Sequence, residues 1–284
     1  MIMVKNMANN VKHKLKIKNI IILLLFIGLI IVLFFSLKNI ITWKVDEDAT
    51  NKQIEEIVEE DTVQEVVEDN NENVEIIEQT EKPKPEDPYW DYIKYSLISV
   101  DFSELKEKNS DTVGWIQING TNINYPFVQT NNNEYYLNHS FNKTSNSAGW
   151  VFLDHRNSSD LTNKNNIIYA HGRINNTMFG SLRTTLTNGW LNKKSNHVFK
   201  ISTPSTNTMW QVFSVYKIKP VTDYLQVKFA EDDYEKFLDK IIKRSAYNFN
   251  TSISKEDNIL TLSTCYDNNN RMVLHAKLIK KETR

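Results

Sequence analysis

Hydrophobic positions fall along this chain in three regimes. From Ile20 to Leu37 they form a run with no charge. At ~1.5 Å rise per residue, such a run as a helix crosses most of a ~30 Å hydrocarbon core. From Asp46 to Asp87 apolar positions are sparse among Glu and Asp; Ile54, Ile57 and Val58, then Val63, Val66 and Val67, hint at a helical stripe too thin for a core. From Tyr89 onward, β-branched and aromatic residues alternate with polar ones between Asn-rich turns. The alternation predicts strands over Val113–Ile118, Ile123–Val128, Trp150–Leu153, Asn166–Ala170, Val198–Ser202, Trp210–Ile218, Ile259–Thr264 and Met272–Lys280, with a hairpin turn at Asn119-Gly120. Helical spacing marks Trp90–Leu97 and Phe102–Lys108, with Ser103 as N-cap, and shorter helices over Asn133–Asn138 and Thr177–Thr184. The longest amphipathic stretch is Ala230–Arg244, where Tyr234, Phe237, Leu238, Ile241 and Ile242 recur at helical spacing between an acidic start and a basic end. Many short strands in one domain point to a barrel or sandwich.

Charge sharpens this division. The net charge is −1, but Lys5, Lys12, Lys14, Lys16 and Lys18 all precede the apolar run. A basic flank stays cytoplasmic, which puts everything after Lys38 outside the cell. A cleaved signal peptide fits less well: the run exceeds an h-region of about 7–15 residues, and Lys38–Trp43 has no small-residue cleavage site. The acidic stretch has Lys52, Lys82 and Lys84 as almost its only opposing charges and ends in Pro83-Lys84-Pro85-Glu86-Asp87-Pro88. It reads as a solvated, mostly disordered stalk rather than a partner-binding helix. The expected organisation is a cytoplasmic N-terminus over 1–19, a signal anchor over 20–37, a stalk over 38–88 and a folded domain over 89–284. Without anchor flank and stalk the remainder is modestly basic, which suits an anionic cell wall.

Candidate chemistry centres on Cys265, the chain's single cysteine. It has no disulfide partner within the chain and no neighbouring Cys or His pair for zinc, so it is either a small buried hydrophobe or a nucleophile. Its place at a predicted strand end favours the second reading, as does Arg271 across a polar loop (Tyr266 to Asn270), since a guanidinium favours thiolate and can donate to an oxyanion. An ordinary hairpin-end charge is the plain alternative for Arg271. Of six histidines, His13 precedes the apolar run, His275 lies inside a strand, and His139, His155 and His197 read as surface residues. His171 closes the apolar strand Asn166–Ala170 and is followed by a backbone-freeing Gly172. Asp154-His155-Arg156 reads as strand-exit surface. No Gly-rich phosphate loop, CxxC, HExxH or calcium-loop spacing is present, so neither metal nor cofactor is expected. The absence of a strongly basic aromatic platform argues against nucleic acid.

Thr261-Leu262-Ser263-Thr264-Cys265, an arginine opening the next strand, and Tyr169-Ala170-His171-Gly172 resemble the signature of the sortases, membrane-anchored cysteine transpeptidases of Gram-positive bacteria. Gly114-Trp115-Ile116, Ile123-Asn124-Tyr125-Pro126, Asn133 to His139, Met178 to Leu182 and Val273 to Leu278 resemble class B in particular, over about Tyr89 to Lys281. The loop between Cys265 and Arg271 is shorter than that class leads one to expect. The resemblance implies a mostly β fold: a closed eight-stranded barrel with N-terminal helices and an inserted helix before the cysteine strand. It implies Cys265 as nucleophile, His171 as proton donor and then base, and Arg271 at the oxyanion. Asn124, Tyr169, Tyr224, Leu225 and Ser263 would line the substrate groove, with Thr264 a candidate hydroxyl donor. The implied partners are surface proteins with a C-terminal sorting motif, cleaved after Thr, and an amine of a peptidoglycan precursor. A surface cysteine peptidase using water, or a wall-binding domain without activity, would share these features.

Overall fold

The structure, a computed structural model, describes residues 2–58, 63–66, 74–77, 79, 84, 86–230, 233–267 and 269–284, with side chains from residue 18 onward. The basic flank's side chains up to Lys16, together with Val67, Lys82, Pro83, Pro85, Glu231 and Asp232, lie outside the described part. Contacts divide the chain into two compact units, 1–49 and 50–284. Helix α1 (Ile2–Val58) carries the apolar run and is long and apolar enough to cross a membrane.

The second unit is organised by β4 (Thr112–Ile118), β5 (Asn124–Val128), β6 (Phe152–Leu153), β7 (Asn165–Tyr169), β8 (Val198–Ser202), β9 (Thr206–Ile218), β10 (Ile259–Asp267) and β11 (Asn270–Thr283). Neighbours run in the order β10-β7-β6-β5-β4-β8-β9-β11, and β11 pairs back onto β10. The result is the closed eight-stranded barrel expected, mixed because β5–β6 and β7–β10 are parallel and the other pairs antiparallel. Closure leaves no long edge among these eight strands. Trp115, Trp150, Trp210, Phe127 and Phe199 fill the main core.

Between β9 and β10, the inserted helix Asp233–Lys243 buries Tyr234, Phe237, Leu238 and Ile241 against Phe213, Tyr216 and Val273. Each such burial is worth ~1.5–3 kcal/mol. Ile242, counted in the same stripe, faces solvent.

Three expectations change. The stretch read as a stalk is partly built into the barrel unit. Gln53 and Ile57 on the last turns of α1 are buried, and the Gln53 carboxamide oxygen accepts from the Phe141 amide at 3.2 Å. Strand β1 (Val63–Glu65) pairs with β3 (Ile98–Val100), and β2 (Val74–Ile76) pairs with β11. The thin apolar stripe is therefore enough to dock short segments on an existing sheet, although it could not form a core alone. The helix expected over Trp90–Leu97 is only α2 (Tyr89–Tyr92). The carbonyls of Ile93 and Tyr95 turn to accept from Lys280 Nζ instead. Helix α3 (Ser103–Lys108) begins at Ser103 rather than being capped by it: the N-cap position is Phe102, and the Asp101 carboxylate before it accepts from the Ser103 amide at 2.8 Å.

Candidate active site

Strand register brings the three predicted residues to one end of the barrel. In the parallel pair β7–β10, Tyr169 lies opposite Ser263. His171 and Cys265 each lie two residues further on, so both emerge at the same level. In the antiparallel pair β10–β11, Arg271 lies directly opposite Cys265, a placement that sets Cβ atoms ~4.5–5.5 Å apart. Cys265 does not end its strand, as the apolar pattern had implied. Strand β10 continues to Asp267, with a register shift just after the cysteine. A bulge at that point re-aims side chains next to the sulfur. In place of the expected polar loop, β10 runs to Asp267 and β11 begins at Asn270, and Asp267 accepts from the Asn269 amide and from the Asn270 carboxamide. Lys217 also pairs with Asp267, and these donors lower its carboxyl to about 2.

The thiol is free and half-buried. A cavity of about 520 Å³ opens beside it, lined by Cys265, His171, Arg271, Tyr169, Tyr224, Leu225, Ser263 and Thr264, with Leu137, Phe152, Pro220 and Val221 giving it apolar walls. Nε2 of His171 lies 2.8 Å from the Leu137 carbonyl oxygen. A carbonyl can only accept, so Nε2 carries the proton and Nδ1 is left for exchange with a reacting group. Arg271 has no ion pair and no side-chain hydrogen bond among the described residues. A guanidinium free of carboxylates in an apolar cleft keeps its donors for a ligand.

Gly172 owes its identity to packing. A Cβ there would sit 2.0 Å from the Cys265 carbonyl oxygen, so only glycine lets the chain after His171 pass over the end of β10. The Thr264 hydroxyl donates to the Ala170 carbonyl at 2.7 Å. It pins the two strand ends together and is not available as the free hydroxyl donor expected. Tyr224 and Ser263 share a 3.0 Å hydrogen bond between their hydroxyls. Asn124 does not join the others. Its side-chain oxygen accepts from the Trp115 indole at 2.8 Å, and it is not among the residues lining the cavity.

Two polar devices escaped the sequence reading. Arg183 donates to the carbonyls of Gly172 (2.6 Å), Arg173 (3.3 Å) and Tyr266 (3.2 Å), tying the chain after His171 to the chain after Cys265. Asp154, read as strand-exit surface, is completely buried. Burial pushes its carboxyl up, but hydrogen bonds from Arg156 and Tyr169 together with the Arg156 charge outweigh that and hold it below the usual range. His197, also read as surface, is buried against Trp190 and Phe249, and burial lowers its pKa. One signal was available for Asp154 and Arg156: they follow an apolar strand, as His171 does.

Residues 116–279 match the family model described as the sortase domain. The chain belongs to the sortases, a family of cysteine transpeptidases, and its fold is theirs. Its likeness is to class B. It is 36% identical over 184 residues to sortase B of Listeria monocytogenes, covering 63% of this chain and 74% of that one. A Staphylococcus aureus sortase B–substrate complex superposes with a TM-score of 0.59 at 35% identity, covering 63% of this chain and 84% of that chain. A sortase B complexed with triglycine gives the same TM-score at 35% identity, over 63% and 85%.

Proposed function

We propose that Cys265 is the nucleophile of a transpeptidation that joins surface proteins to the cell wall. The observation that carries this reading is the convergence of thiol, imidazole and unpaired guanidinium on one apolar-walled cavity. Nδ1 of His171 takes the thiol proton as the Cys265 sulfur attacks the Thr carbonyl of a sorting motif near the C-terminus of the substrate. Arg271 donates to the developing oxyanion. The C–N bond breaks, His171 delivers a proton from Nδ1 to the departing amine, and a thioester remains. An amine of a peptidoglycan precursor then attacks that thioester, Nδ1 of His171 takes a proton from it and passes that proton to the departing sulfur, and the thiol is released. Tyr169, Tyr224, Leu225 and Ser263 form walls for the acyl donor. The substrate complex of the Staphylococcus aureus relative and the triglycine complex support a peptide donor and an amine acceptor. The apolar run of α1 anchors the protein, with the basic flank inside the cell and the barrel outside.

The test is intact-protein mass spectrometry. Full-length protein in detergent, incubated with a library of Thr-containing peptides, is expected to gain an acyl mass on Cys265 that added triglycine removes as a ligated product. Hydrolysed peptide without ligation would make the protein a peptidase instead. No adduct with any peptide would end the catalytic reading.

A further inference from the structure

Asp154 follows β6 and sits behind the cavity wall, where it receives five hydrogen bonds on one carboxylate. Oδ1 accepts from the Arg156 amide at 2.9 Å and from Arg156 Nε at 2.8 Å. Oδ2 accepts from Arg156 Nη2 at 2.7 Å, the Tyr169 hydroxyl at 2.9 Å and Asn133 Nδ2 at 3.0 Å. Arg156 also reaches away from this pair: its Nη2 donates to the Leu225 carbonyl at 3.1 Å. Asn133, Tyr169 and Leu225 all line the cavity, and they come from three separate segments: the chain after β5, the end of β7 and the chain after β9. Neither Asp154 nor Arg156 lines it. A fully buried carboxylate is tolerated only when it is paired and hydrogen-bonded throughout, and its loss leaves its donors unsatisfied. The five bonds to Asp154 fix the orientation of the Tyr169 ring, and the sixth, from Arg156 to the Leu225 carbonyl, fixes Leu225, and so the width of the cleft.

We propose that Asp154 and Arg156 are positioning residues that set the width of the acyl-donor cleft by holding three separate segments of its wall on one buried ion pair. This rests on the reading of the cavity as the acyl-donor site. The pair touches neither the thiol nor the guanidinium of Arg271, so it governs how tightly a donor is held and not how fast the sulfur reacts. Specificity in such a cleft depends on fixed walls, because a misplaced wall loses contacts along the whole donor.

The test uses full-length protein in detergent and two alkylating probes. Nα-acetyl-threonyl chloromethyl ketone must occupy the cleft before it alkylates Cys265, so its inactivation separates into KI and a limiting rate. Iodoacetamide is small and reports the thiol alone. For Arg156→Ala, KI is expected to rise about 10-fold, with the limiting rate and the iodoacetamide rate within about 2-fold of the parent. Arg156→Lys, which keeps the charge but not the fork, should fall between them. Should the substitution at Arg156 unfold the protein, Tyr169→Phe removes a single hydroxyl from the same carboxylate and is expected to raise KI about 3-fold. Unchanged KI in folded variants, or KI and both rates deteriorating together, overturns the inference. A parent protein that reacts with the chloromethyl ketone without saturation overturns the reading of the cavity itself, and the inference with it.

Discussion

Two cross-strand pairs on the same hairpin put similar side chains to opposite uses. Thr261 faces His275 in the middle of β10–β11, and Cys265 faces Arg271 at its end. In the first pair every polar atom is committed. The Thr261 hydroxyl donates to the Asn165 side-chain oxygen at 2.6 Å, so its oxygen accepts from His275 Nδ1 at 2.8 Å. Nε2 of His275 then accepts from the Tyr216 hydroxyl at 2.9 Å. Burial holds this imidazole neutral, its pKa lowered to about 3. Asn165 passes the order on by donating to the carbonyls of Tyr224 and Gln226, on the chain that walls the cavity. At the open end, Arg271 has no side-chain partner among the described residues and the thiol is free. The sealed part of the barrel uses polar groups to fix shape, while its mouth leaves them uncommitted for a reacting ligand.

The largest effect belongs to the mouth. Cys265→Ala should abolish acyl-adduct formation, a loss of at least about 10⁴-fold, without lowering the thermal midpoint, since the half-buried thiol has no structural partner. Adduct mass and thermal melting measured on one preparation check both halves. A folded Ala variant that still forms an adduct would place the nucleophile elsewhere.

Next comes Arg271. Arg271→Ala is expected to lower the rate of thioester formation by about 10²–10³-fold with a small effect on stability, because an oxyanion donor is lost while no protein partner is stranded. Single-turnover acylation reads this directly. Arg271→Lys should restore only part of the rate, since an ammonium cannot reproduce a fork. Equal loss of rate and stability in both variants would make Arg271 structural, like its interior counterpart His275.

Why some of this was legible and some not follows from range. Cys265, His171 and Arg271 each announce themselves locally, as polar residues at the margin of an apolar strand. Parallel and antiparallel pairing then does the rest; the short alternating strands imply a barrel or sandwich, and only the family resemblance singles out the closed barrel. Asp154 carries the same local signal, but it is satisfied in the interior by Asn133 and Tyr169, which reach it from segments distant in sequence. The alternation rule assigns such a residue to solvent. Asn124 fails in the opposite direction: it belongs to a family block, yet its contact with the Trp115 indole commits it to the adjacent strand. Val63–Glu65 and Val74–Ile76 could not be read as strands because their pairing partners, β3 and β11, supply the stability that their own residues lack.

A smaller effect tests the clamp between the two strand ends. Arg183→Ala frees three carbonyls that lie on either side of the reacting pair. Acylation should slow by about 10-fold through loss of alignment between His171 and Cys265, while the iodoacetamide rate stays near that of the parent. An unchanged acylation rate would show that Gly172 packing and the Thr264 hydroxyl suffice to hold the ends in register.

The smallest effect on activity, and the one that best separates the two pairs, concerns His275. Its folded pKa lies far below the ~6.5 of an unfolded histidine. Between those values the unfolded chain binds a proton that the folded one refuses, so stability rises with pH across that window. The contribution is complete above about pH 6.5 and is lost as the pH falls toward 3. His197, whose pKa burial also lowers, adds in the same direction. Asp154, held below its usual range, contributes stability that is lost only at lower pH, as its carboxylate protonates. His275→Gln keeps one donor for Thr261 and one acceptor for Tyr216 but removes the titration. Denaturant melts from pH 7 to pH 4.5 should therefore show a shallower loss of stability in the variant than in the parent, by up to about 1.4 kcal/mol per pH unit. Acylation at pH 7 should stay within about 2-fold of the parent, since the interior wire keeps its polarity. An identical pH slope in the two proteins would mean that the interior imidazole is already protonated in the fold. Its hydrogen bond to Tyr216 would then have to run in the reverse sense, with Nε2 donating, and the contrast between a sealed, committed pair and an open, uncommitted one would be lost.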